Sequence, residues 1–101
     1  MSKDYKIPYM LDCYGKLLTE KQYTLIDCYY NDDLSLSEIA DANGITRQGV
    51  RDFVKKAESA LLDFEDKLGY VEKITSLKNL ASTINSNDED VKNLIQAINN
   101  M

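Results

Sequence analysis

Residues Ser35 to Val54 read SLSEIADANGITRQGVRDFV. This stretch decides the fold, because it meets the demands of two short helices crossing steeply across a tight turn. Such a crossing needs a small residue at the contact, a residue tolerant of positive φ in the turn, and apolar anchors on the second helix. Ala40, Gly44 and Val50 fall where those needs arise. Ser35-Leu36-Ser37-Glu38 reads as a capping box that opens the first helix, which ends near Asn43. Thr46 can cap the second. A helix presented in this way fits the major groove of DNA.

The second helix carries the chemistry. Ile45, Val50 and Phe53 anchor it, which leaves Arg47, Gln48, Arg51 and Lys55 on the outer face. Arg can bond guanine edges and Gln adenine edges, while Lys55 and Lys56 suit phosphates. The candidate nucleic-acid-binding residues are therefore Thr46, Arg47, Gln48, Arg51, Lys55 and Lys56. Residues 46–56 hold four basic side chains against Asp52, a net +3, inside a chain of net charge −5. The overall charge argues against a nonspecific nucleic-acid coat, so any binding must come from this local patch or from a partner that supplies charge. Two features depart from the usual motif. Asn43 stands where an apolar residue is common, and Gly49 costs about 1 kcal/mol of helix propensity relative to Ala. Gly49 suggests close approach to a backbone.

Outward from the motif, the apolar residues Val50, Phe53, Val54, Ala57, Ala60, Leu61 and Phe64 recur at spacings of three and four. They carry the second helix to about Leu68, a rod of roughly 30–35 Å. Glu58, Asp63, Glu65, Asp66 and Lys67 read as its solvated, mostly acidic side. Upstream, Thr19-Glu20-Lys21-Gln22 is a capping box for a helix through about Tyr30, with Leu25, Ile26, Tyr29 and Tyr30 as core candidates. Before it, Pro8 to Leu17 reads as a helix whose apolar side is Tyr9, Tyr14, Leu17 and Leu18. Asp32-Asp33 reads as a solvated, helix-ending pair. The high tyrosine count, seven, reads mainly as amphipathic core filler.

Beyond Gly69, Ile74, Leu77, Leu80, Ala81 and Ile84 form a fifth amphipathic pattern. Ser86-Asn87-Asp88-Glu89 reads as a capping box for a last helix bearing Val91, Leu94, Ile95 and Ile98. The sequence predicts an all-α protein with six helices and no strand. It divides into a wingless helix-turn-helix unit, 1–69, and a helical appendage, 70–101, that offers a dimerisation or interaction surface.

Composition narrows the function. The absence of His removes His-based acid–base chemistry and most zinc sites, and no Gly-rich phosphate loop is present. An enzyme is not expected, nor a cofactor. Cys13 and Cys28 read as free buried thiols. No apolar run reaches the ~18 residues of a membrane span, and the N-terminal stretch lacks a signal-peptide core. A cytoplasmic protein without membrane insertion is expected.

The run from Leu17 to Leu61 closely resembles the DNA-binding fourth region of bacterial sigma factors. The shared features are the capped helix before the motif, its S-x-x-E-I-A start and the long helix after it. With IPYMLDCYGKL before and LDFEDKLG after, residues 7–70 resemble the YlxM family of small bacterial proteins. The combination of LLTEKQ, YY-x-DD-x-SL-x-EIA and the Thr46-Arg47-Gln48 start is narrower than a generic motif. The resemblance implies a sigma-region-4-like helix-turn-helix bundle with a long recognition helix and a C-terminal helical extension. It also implies a regulatory role in the signal recognition particle pathway, since the family's genes tend to lie beside those of that particle's protein and receptor. Two readings stand open. One is a DNA-binding regulator acting as a homodimer. The other is a protein or RNA adaptor of the signal recognition particle, using the motif as a scaffold.

Overall fold

A computed structural model describes residues 2–101, and among these every regular element is helical. The order is α1 (Ile7–Tyr14), a 3₁₀ turn (Gly15–Leu17), α2 (Glu20–Tyr30), α3 (Leu36–Asn43), α4 (Arg47–Leu68), α5 (Tyr70–Ser82) and α6 (Glu89–Asn99). Contacts cluster the chain into two compact units that divide between Leu68 and Gly69.

In the first unit α4 is the spine, and α1, α2 and α3 all pack on it. Its buried residues are Val50, Val54, Ala57 and Leu61, the stripe that a helix period dictates. Ile7, Met10, Leu11 and Tyr14 cover it from α1, Leu25, Ile26 and Tyr29 from α2, and Ile39 and Ala40 from α3. Both expected boxes at α2 and α3 are complete. Thr19 and Ser35 accept from the backbone N–H of Gln22 and Glu38, whose side chains accept from the capping residues' own N–H groups.

Four local expectations need correction. α1 begins at Ile7 and tightens into the 3₁₀ turn after Tyr14, so its buried face is Ile7, Met10, Leu11 and Tyr14. Tyr9 and Leu17 stand 65% and 60% exposed. The cause is tertiary: α1 packs chiefly on α4, where Tyr14 meets Glu65 and Phe64, and Gly15 lies against the Tyr23 ring of α2, where a Cβ would come within 2.7 Å. Cys13 is consequently exposed and Cys28 half-buried, so the thiols are free but not core residues. Burial nevertheless raises both thiol pKa values, aided by the charge of Glu65 at Cys13 and of Asp32 at Cys28. The acidic side of α4 is not wholly solvated. Tyr14 donates its hydroxyl to Glu65 at 2.5 Å, and Tyr30 donates to Glu58 at 2.7 Å. Tyr30 is therefore half-buried with a tethered hydroxyl rather than a core residue. Finally, α6 is capped by Asp88, whose carboxylate accepts from the N–H groups of Asp90 and Val91. Ser86 instead accepts from the Asp88 N–H, two residues before the cap.

In the second unit α5 and α6 pack against each other. Ala81 is its only buried apolar residue, while Leu80 and Leu94 are 64% and 59% exposed. Ile84 lies beyond the end of α5.

Candidate nucleic-acid interface

The interface is built from the turn outward. Gly44 adopts the left-handed conformation at φ 65°, which a residue lacking Cβ reaches without steric cost. The N–H of Ile45 then bonds the Ala40 carbonyl at 3.2 Å, the closing bond of a Schellman-type ending. Asn43 donates its side-chain amide to the Ile39 carbonyl at 2.8 Å. Its polarity in a usually apolar position is thus used to close the end of α3.

Thr46 is exposed, and its hydroxyl accepts from the Gly49 N–H at 2.9 Å, capping the first turn of α4. The hydroxyl's own O–H is left free to donate outward. A Cβ on Gly49 would stand 3.2 Å from that same hydroxyl oxygen and 4.0 Å from the Ile45 Cβ. Its small size makes room for the cap and the anchor of its own turn, so no external backbone is needed to account for it.

Arg47, Gln48, Arg51, Lys55 and Lys56 are all exposed. They do not form one patch. Arg47, Arg51 and Lys55 follow at four-residue spacing, each about 40° further round the axis. Lys56 lies about 140° round from Arg51 and belongs to another side of α4. Gln48 donates its amide to Asp52 at 2.9 Å. Leu36, at the start of α3, joins Arg47, Gln48 and Arg51 in lining one shallow concavity. Among the described residues, no carboxylate lies within salt-bridge distance of Arg47, Arg51 or Lys55. By contrast Lys3 is paired with Asp33 and Lys67 with Asp63.

One basic residue near the motif escaped the sequence reading. Lys21 of α2 places its ammonium 5.2 Å from the centre of the half-buried Phe53 ring on α4. That proximity spans 32 positions, and no local pattern signals it.

A model of the UPF0122 family, described as "Putative helix-turn-helix protein, YlxM / p13 like", matches residues 1–101. A UPF0122 protein of Desulforamulus reducens is 46% identical over 84% of this chain and 74% of its own length. One from Acetivibrio thermocellus is 45% identical over 83% and 72%. One from Clostridium perfringens strain SM101 is 37% identical over 94% and 91%, so that similarity includes most of the second unit. Among the described residues, no helix is long and apolar enough to cross a membrane. With an all-helical fold, the two capped helices about Gly44 and a match along its whole length, the chain belongs to the YlxM / p13 like family of helix-turn-helix proteins.

Proposed function

We propose that this protein is a cytoplasmic nucleic-acid-binding regulator that sets the Arg47–Arg51–Lys55 stripe of α4 against a DNA duplex. One observation carries the reading: these three cations are exposed and without carboxylate partners among the described residues, in a chain of net charge −5. A solvated basic stripe of this kind is what phosphates neutralise on binding. Lys56 and Lys21 add positive charge on another side of α4, outside the stripe, and Thr46 contributes by holding the first turn of α4 in shape. A single motif reads only one half-site, so the working form is a homodimer spanning two half-sites about one helical turn apart. The exposed Leu77, Leu80 and Leu94 of the second unit support association with a second copy.

Fluorescence anisotropy with labelled duplexes across a salt series tests this. Binding should weaken steeply with salt. The Arg47→Ala, Arg51→Ala double variant should lower the slope of log K against log[salt] by about two. Absence of binding to any duplex at low salt would overturn the reading.

The acidic exterior favours a second reading, in which the protein is an adaptor of the signal recognition particle that meets a basic partner. The link to that pathway rests on the family resemblance. Co-purification of the particle's protein or RNA with wild type, unchanged in the double variant, would favour a protein contact away from α4. Loss of the RNA alone in that variant would place RNA on the basic stripe.

A further inference from the structure

The hydrogen bond between Gln48 and Asp52 has a consequence for base recognition that neither residue has alone. Both side chains are exposed on the first turns of α4, and the Gln48 Nε2 lies 2.9 Å from the Asp52 Oδ1. An ionised carboxylate only accepts hydrogen bonds, so the amide must turn its NH₂ group, not its carbonyl, toward Asp52. That group has two hydrogens. With Asp52 on the hydrogen anti to Oε1, the other N–H and the carbonyl Oε1 lie side by side and free of the carboxylate.

We propose that Asp52 is a positioning residue for base reading, orienting the Gln48 amide so that its remaining N–H and its Oε1 together match the edge of an adenine. Adenine offers an acceptor at N7 and a donor at N6 in the major groove, the complement of that pair. Guanine offers two acceptors, N7 and O6, so one of them would oppose the Gln48 carbonyl. Without Asp52 the Gln48 side chain turns freely among its rotamers and loses this bias. Asp52 also places a negative charge among Arg47, Arg51 and Lys55, which opposes phosphates whatever the sequence. The two effects of one side chain thus have opposite signs: Asp52 weakens binding to every duplex and sharpens the choice of base. The inference rests on the reading of α4 as the DNA-facing helix.

The test is selection of the full chain on a duplex library with a randomised centre at low salt, followed by sequencing and anisotropy on the enriched duplexes. Wild type should enrich adenine at one position, with about a tenfold preference over guanine. Gln48→Ala should lose that preference. Asp52→Ala should bind all duplexes on the order of threefold more tightly and lose most of the adenine preference. Asp52→Asn removes the charge and can both donate and accept, so it no longer dictates which end of the Gln48 amide faces it; it should bind more tightly and lose part of the adenine preference. Circular dichroism confirms that each surface variant is folded. Tighter binding by Asp52→Ala with adenine enrichment unchanged would reduce Asp52 to a bare charge and overturn the proposal. Salt-dependent binding by wild type with no base preference would also overturn it, while leaving the functional reading intact. Failure of wild type to bind any member of the library would sink both.

Discussion

Gly44 and Asp33 both sit at positive φ, 65° and 54°, one on each side of α3. For Gly44 the conformation is free, and nothing lies within 4 Å of where a Cβ would project. Gly44→Ala therefore introduces backbone strain without a clash. We expect a loss of about 1 kcal/mol, read as a lower urea midpoint at constant m value. Asp33 is held in another way, by a 2.6 Å ion pair to Lys3. The Lys3 hydrogen bond, then its charge, lowers the Asp33 pKa below the ordinary 3.8. A depressed carboxyl stabilises the fold fully above its ordinary value, and the contribution is lost as pH falls through the lowered one. Asn tolerates positive φ but does not ionise. Asp33→Asn should therefore lose less stability than wild type as pH drops below 3.8, measured by urea unfolding at stepped pH. The Gly44 turn and the Thr46 cap were legible because their partners lie within six residues. The role of Asp33 was not, because Lys3 is 30 residues away.

At the scale of elements, α4 does two jobs along its length. Its first turns carry the basic stripe, and its later turns receive the tyrosine hydroxyls of α1 and α2. Glu58 and Glu65 are seven residues apart on one side of the helix, where each accepts from a tyrosine of a different neighbour. Tyr14 is 2% exposed, and its ring also tilts against Phe64 with centroids 5.9 Å apart. Tyr14→Phe should cost about 2 kcal/mol, the scale of a hydrogen bond to a charged group. Tyr9→Phe, on the exposed side of the same helix, should stay within about 0.5 kcal/mol in the same denaturation assay. The helical period of α4 was legible from its apolar spacing. The phase of α1 was not: Tyr9 and Leu17 are as apolar in sequence as the residues that became buried, and packing against α4 decided between them.

For the molecule as a whole, the division at Leu68 separates a well-packed unit from one with a single buried apolar side chain. A chain ending at Leu68 keeps α1 to α4 and both tyrosine–glutamate bonds. It should melt cooperatively by circular dichroism. If the second unit carries self-association, sedimentation should find the full chain dimeric and the shortened chain monomeric at equal concentration. The shortened chain should then bind an isolated half-site duplex with an unchanged salt slope, while losing the gain from two half-sites in one duplex.

The sequence by itself determined the local devices: the boxes at Thr19 and Ser35, the turn at Gly44, the cap at Thr46 and the apolar stripe of α4. Each depends on residues a few positions apart, where chain geometry alone fixes what can meet. It also fixed the contrast between a basic motif and an acidic chain, which is a matter of composition. Tertiary structure decided which face of α1 is buried, which acidic residues of α4 accept from tyrosines, and that Lys21 stands over Phe53. These depend on contacts between helices, for which short-range periodicity carries no information. It also decided that Arg47, Arg51 and Lys55 remain without carboxylate partners among the described residues, since an ion pair forms only between charges that the fold brings within reach.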